Sequence, residues 1–217
     1  MEIVKIFREG GLVMWPLLIF SVVAIGLIIE RIVFWVRVYR RENRVVKDVL
    51  NIYRRDNVVG AIDKLKQNVD LPIARIFLAA LLLEEPNPEE FRLALETESQ
   101  AEIPVLKRFN NVFETIISIA PLFGLLGTVT GLINSFSSLN LGDVGGTKTA
   151  GVSAGISEAL VSTASGLVVA IFTLMFANTF RGFYIRQIAR VQEYGGQLEL
   201  LFRHRYERGE KSYASTR

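Results

Sequence analysis

The sequence predicts an all-α integral membrane protein with three transmembrane helices, two of which extend into a helical domain outside the bilayer. The first observation is that three runs of apolar residues contain no charge, over 20, 28 and 22 residues. A helix needs about 20 such residues to cross a hydrocarbon core of about 30 Å. The second observation is that helical periodicity continues past the second and third runs. The runs are 10–29, 115–142 and 159–180.

The amino-acid composition disfavours several classes of function. Half of the 217 residues are hydrophobic, there is no cysteine and one histidine, and the net charge is only +3. We therefore expect no disulfide framework, no metal site and no cofactor. No nucleophile triad or phosphate loop indicates an enzyme, and the modest charge does not favour nucleic-acid binding. The alternative of buried helices in a large soluble core is disfavoured, because three such runs leave this short chain little else to cover them.

The first transmembrane helix is expected at 10–36, after a short periplasmic or interfacial lead at 1–9. Trp15 and Trp35 lie near its two ends, as expected for aromatic side chains at the membrane interfaces. Pro16 lies in the first turns, where proline costs least. No clear cleavage site follows this run, so we interpret it as a retained span and not a removed signal peptide.

Basic residues predict the orientation. Five of them follow the first span between positions 37 and 47, and three follow the third span between 181 and 190. The segment between the second and third spans has only Lys148. Because positive charge stays on the cytoplasmic side, the N-terminus is expected outside and the C-terminus inside.

The loop 37–112 is expected to be cytoplasmic and helical. Asp56-Asn57 is a plausible break, and proline at position 72 favours a new helix start. The segment from Asn87 to Glu90 has the residue pattern of a capping box, with proline in the first helical position.

Beyond Asn87 there is no strong stop signal before Asn140, which predicts one helix of about 50 residues and about 75 Å. The second span would then reach deep into the cytoplasm. The expected segments are transmembrane helix 2 at 113–139, a short periplasmic loop at 140–156, transmembrane helix 3 at 157–183, and a cytoplasmic helix and tail at 184–217.

Small and polar residues mark the second and third spans. Glycines about one turn apart allow close helix approach. Hydroxyls at membrane depth can line a polar path or bond carbonyls of their own helix, and for any single threonine the two are equally plausible. For the whole set with Glu158, we favour a lining. The close-packing candidates are Gly124, Gly127, Gly131 and Gly166; the polar candidates are Thr128, Thr130, Asn134, Ser162 and Thr163.

Two motifs carry a family resemblance. They read Gly-Leu-Leu-Gly-Thr-Val-x-Gly-Leu-Ile-Asn-Ser-Phe at 124–136 and Gly-Ile-Ser-Glu-Ala-Leu-Val-Ser-Thr-Ala-x-Gly-Leu at 155–167. The chain resembles the MotA/TolQ/ExbB proton channel family, ExbB first and TolQ next. Thr130 stands where ExbB and TolQ often carry tryptophan, and Ser157 where alanine is common, which blurs the subfamily.

The resemblance implies a multi-pass protein of the bacterial inner membrane, with a periplasmic N-terminus and a cytoplasmic C-terminus. It implies a homopentameric ring whose central pore holds two copies of a single-span ExbD- or TolR-like partner, with a TonB-like protein as a further partner. The proton motive force would energise TonB-dependent transport across the outer membrane, or envelope maintenance if the chain is TolQ-like. A partner aspartate would carry the proton. Thr128, Glu158 and Thr163 match the family's pore-lining positions; Ser162, Thr130 and Asn134 are possible additional polar positions.

Two alternatives stay open. Glu158 can act at a pore mouth, or it can simply interact favourably with the N-terminal end of the third helix. The polar set can serve proton transfer, or it can hold a non-conducting membrane scaffold together.

Overall fold

The computed structural model describes residues 10–137 and 147–215, and side chains within 10–137 and 151–208. The predicted lead at 1–9 and the start of the predicted loop at 140–156 lie outside the described residues. Within the described ranges every regular element is an α-helix. The helices are α1 (Met14–Arg54), α2 (Val58–Lys66), α3 (Pro72–Leu81), α4 (Pro88–Leu106), α5 (Asn110–Ser137) and α6 (Thr147–Ser215).

Three stretches are long and apolar enough to cross a membrane: Met14–Arg54, Pro88–Ser137 and Gly151–Arg208. Large apolar side chains on them face outward; Leu160 and Val168 are each 66% exposed. A soluble protein rarely leaves so continuous an apolar surface uncovered, whereas lipid covers it without cost. The chain is a membrane protein, and the predicted all-helical class with three candidate spans is confirmed.

The chain divides into two compact units. The membrane unit comprises Met1–Arg31 and Phe109–Phe180, and the bundle unit comprises Ile32–Arg108 and Arg181–Arg217. The membrane unit has a small apolar core in which Leu17 and Ala120 are almost fully buried. The backbones of α5 and α6 also contact each other directly in this unit.

The bundle unit has a larger core of its own. Its centre consists of aliphatic residues together with Phe77 and Phe91, both fully buried. The Phe91 ring stacks on Phe202 with centroids 4.1 Å apart. Arg41 donates to Asp70 at 2.6 Å, which ties α1 to the residues that precede α3.

The predicted helix starts in the bundle unit are confirmed. Asp56 has a φ of 60°, and Asn57 then caps α2 by accepting a hydrogen bond from the Gly60 amide at 2.8 Å. Pro72 begins α3. Asn87 and Glu90 form a capping box, since each side chain accepts from the other's backbone amide at 2.9 Å.

The prediction of one helix from Asn87 to Asn140 is wrong. Helix α4 ends at Leu106 and α5 begins at Asn110, because Phe109 adopts a φ of 68°. This conformation is unfavourable for an aromatic residue and needs tertiary support. The Arg31 guanidinium carbon lies 5.7 Å from the centre of the Phe109 ring, a cation–π contact within the membrane unit.

Helix α6 begins at Thr147, ten residues before the predicted boundary at 157, and runs for 69 residues. The early turns are supported by α5. Ser135 donates to the carbonyl of Val152 at 3.2 Å, and Gly155 lies directly against Gly131. This contact depends on residues distant in sequence, which local helix signals do not reveal.

Candidate functional site

The candidate site is the contact between α5 and α6, which is built on glycine. A β-carbon at Gly166 would lie 2.6 Å from the Ala120 carbonyl oxygen, and one at Gly131 would lie 2.6 Å from the Gly155 carbonyl oxygen. Real β-carbons do not approach so closely. The two helices therefore meet backbone to backbone along several turns, as small residues in membrane helices allow.

The same contact brings two hydroxyls of α6 to the backbone of α5. Thr163 Oγ1 donates to the Gly124 carbonyl at 3.0 Å across the helix pair. Ser162 is fully buried and donates to Ala159 within its own helix at 2.9 Å, with a longer contact of 3.4 Å to Gly124. Gly127 lies over Ser162, since a β-carbon there would be 2.2 Å from Ser162 Oγ. A side chain at 127 would displace the Ser162 hydroxyl, and one at 124 would meet the backbone of Ser162 and Thr163 at 3.1 Å.

The threonines of α5 are arranged differently. Thr128 donates to Leu125 at 2.5 Å and Thr130 donates to Gly127 at 3.1 Å, both within α5. Both side chains are half-buried, and Asn134 is exposed. Thr128 lies one helical turn from Gly124, which accepts the bond from Thr163. Each of these hydroxyls keeps lone pairs free to accept a further bond.

Glu158 is half-buried at the start of the apolar part of α6. Its carboxylate covers Gly11: a β-carbon on Gly11 would lie 1.8 Å from Oε1. Gly11 has a φ of 69°, a conformation that glycine adopts readily. Met14, the next turn of the chain, packs under Gly10. The residues before α1 therefore shield one side of the only carboxylate in this part of α6.

Two residues of this region were missed by sequence reasoning. Gly11 was not singled out, although the Gly10-Gly11 pair at the start of an apolar run was a usable signal. Ser135 was not treated as a packing residue, but it is buried and donates both to Gly131 at 3.0 Å and across to α6.

The sequence that forms this contact is similar to that of known proteins. Residues 68–193 match the MotA/TolQ/ExbB proton channel family. The chain is 58% identical to a putative biopolymer transport protein ExbB-like 3 of Synechocystis, over 96% of this chain and 99% of that protein. It is 42% identical to the ExbB-like 1 protein of the same organism, over 91% of this chain and 78% of that protein. It is 30% identical to biopolymer transport protein ExbB of Salmonella typhimurium, over 73% of this chain and 71% of that protein. A TolQ protein of Haemophilus influenzae is 34% identical over 49% of this chain and 44% of that protein. The family match covers more than half of the sequence and includes residues of both units. The chain belongs to the MotA/TolQ/ExbB proton channel family.

Proposed function

We propose that this chain is the ExbB-type subunit of a proton-driven motor in the inner membrane. With an ExbD-like partner it would use the proton motive force to energise TonB-dependent transport across the outer membrane. Family membership and the relatives named as biopolymer transport proteins support this proposal. The observation that carries it is the half-buried carboxylate of Glu158, which lies one turn from the Ser162 and Thr163 hydroxyls at the α5–α6 contact.

The proposed assembly is a homopentamer in which α5 and α6 of each copy line a central pore. Two single-span partner helices, each with an aspartate, would occupy this pore. The segments that would cross the bilayer are 10–36, 113–139 and 157–183. The N-terminus would be periplasmic and the C-terminus cytoplasmic. The basic residues that follow the first and third spans support this orientation.

The proposed chemistry is the alternating solvation of the partner carboxylate. An ionised carboxylate in a low-dielectric pore is costly unless it accepts hydrogen bonds. Thr128 and Thr163 can each rotate a hydroxyl away from a backbone carbonyl and towards a carboxylate. Protonation removes that need and lets the partner residue face an apolar wall. One proton crossing 100 mV releases about 2.3 kcal/mol, enough to bias such a step.

A second candidate is a non-conducting scaffold. The Thr163 bond to Gly124 favours it, because that hydroxyl already has a partner across the helix pair. Under this reading, replacing Thr163 would weaken assembly and leave no separate effect on transport. A TolQ-like role in envelope maintenance uses the same proton chemistry and differs in the load that is driven.

Hydroxyl-removing variants separate the motor from the scaffold. Thr128→Val and Thr163→Val would be expressed with the partner in cells that depend on this system for nutrient uptake. Thr115→Val and Thr179→Val are controls for the loss of a threonine hydroxyl from a helix; like Thr128, these exposed threonines donate to their own helix, at 2.7 and 2.9 Å. We expect a large loss of uptake in the first pair at normal assembly level, and no loss in the controls. Normal uptake with normal assembly in all four variants would contradict the motor.

A further inference from the structure

A carboxyl group and an amide are buried side by side in the bundle unit. Glu42 on α1 is 1% exposed and Gln187 on α6 is 1% exposed. Gln187 Nε2 donates to Glu42 Oε2 at 2.5 Å. The bond satisfies one oxygen of Glu42 and one hydrogen of Gln187.

The remaining oxygens of the pair pose a problem if Glu42 is ionised. Glu42 Oε1 and Gln187 Oε1 are both buried and have no hydrogen-bond partner among the described residues. A carboxylate has only acceptors, so it cannot bond to the amide oxygen. Two buried acceptors would then stay unsatisfied, and one of them would carry charge.

A single proton on Glu42 provides hydrogen bonding for both of these buried oxygens. A protonated Glu42 has an O–H donor that can point to Gln187 Oε1, while the amide N–H continues to donate to Oε2. The two groups then form a closed pair with one bond in each direction. We propose that Glu42 is a proton-binding site, and that Gln187 stabilises its neutral carboxylic acid form.

The positive charge of Arg190 acts on Glu42. Burial raises the pKa of Glu42, and this effect exceeds the lowering by the Gln187 hydrogen bond and by the charge of Arg190. Arg190 lies with its guanidinium carbon 4.5 Å from the centre of the Tyr39 ring. Burial and then the charge of Glu42 raise the pKa of Tyr194. The Tyr194 hydroxyl donates to Asn43 Oδ1. Glu42 lies beyond the proposed first span at 10–36 and follows the basic residues Arg37, Arg40 and Arg41.

The proton ties the stability of the bundle unit to pH. The pKa of Glu42 in the folded protein is above the unfolded value of 4.5. Between the two values the folded protein holds a proton that the unfolded chain has lost, so stability falls as pH rises across this interval. The stabilisation is complete below the unfolded pKa and is lost as pH passes the folded pKa. The proposal does not depend on the channel function.

Glu42→Gln reproduces the neutral pair, because its amide can donate to Gln187 Oε1 in place of the proton. Glu193→Gln is the matched control, an exposed glutamate on the same helix as Gln187. The full-length protein in detergent would be unfolded by heat at pH 5 to 8. We expect the melting temperature of Glu42→Gln to exceed that of the wild type increasingly as pH rises, while Glu193→Gln follows the wild type. A difference between Glu42→Gln and wild type that is the same at every pH would overturn the proposal.

A spectroscopic measurement on the wild-type protein does not depend on how a variant folds. The infrared spectrum of the wild-type protein labelled with ¹³C-carboxyl glutamate should keep a protonated carboxyl band at pH values above 4.5, the ordinary pKa of a glutamate. This band should be absent in Glu42→Gln, shifted in Gln187→Met, which removes the amide, and unchanged in Glu193→Gln. A wild-type spectrum that loses its protonated glutamate band at the ordinary glutamate pKa of 4.5 would overturn the proposal, as would a band that survives unchanged in Glu42→Gln.

Discussion

Gly166→Ala tests whether backbone contact between α5 and α6 holds the membrane unit together. The new β-carbon would lie 2.6 Å from the Ala120 carbonyl oxygen and 3.1 Å from Gly124 Cα, whereas ordinary contact begins at 3.4 Å. Both contacts are with backbone, so no side chain can rotate away and the helices must separate. Overpacking of this kind costs about 1–3 kcal/mol. Alanine also favours a helix over glycine by about 1 kcal/mol, which offsets part of the loss.

Gly26→Ala supplies the control, because a β-carbon at Gly26 has nothing within 4 Å among the described residues. Both glycines lie inside apolar helices, so the helix-propensity gain is common to the two variants. The free energy of unfolding would be measured in mixed micelles by titration with a denaturing detergent, followed by circular dichroism. We expect Gly166→Ala to be less stable than Gly26→Ala by about 1–3 kcal/mol. Equal stability of the two variants would refute the close-contact reasoning.

Two further predictions concern the bundle unit and use the same unfolding measurement. Glu102→Ala removes the buried partner of Arg75. We expect the free energy of unfolding to fall by about 2 kcal/mol, less than for a fully buried pair because Arg75 is partly exposed. Glu96 is exposed, so Glu96→Ala should cost under about 0.5 kcal/mol, and equal losses in the two variants would contradict the reasoning. Asn87→Ala removes the oxygen that accepts from the Glu90 amide, and we expect a loss of about 1 kcal/mol that Asn87→Ser largely restores; no loss in Asn87→Ala would show that the cap is not needed.

The parts of the fold that sequence predicts well are those that depend on neighbouring residues. The capping box at Asn87 and the helix start at Pro72 follow from residue types within one turn. The three apolar runs are visible because a bilayer demands a minimum length. These features need no knowledge of tertiary contacts.

The features that sequence missed depend on distant contacts. The Phe109 ring at the break contacts the Arg31 side chain, and the early turns of α6 contact Ser135 and Gly131 on α5. Helix propensity alone continues through both places.

The candidate site was partly accessible from sequence. The glycine spacing predicted close approach, and Gly124, Gly131 and Gly166 lie against the facing backbone. Which hydroxyl bonds across the pair could not be predicted, because Ser162 and Thr163 are adjacent and both are plausible. Gly11 lies against the carboxylate of Glu158, which is distant in sequence, so no local pattern predicts this contact.

Proton flux through the assembled complex tests the central proposal most directly. The chain and its single-span partner would be reconstituted in liposomes, and proton entry would be followed with a trapped pH-sensitive dye after a membrane potential is imposed. The account predicts flux that requires the partner and falls at least several-fold in Glu158→Gln at equal assembly. Flux of the same size with Glu158→Gln, or no flux from the intact complex, would contradict it.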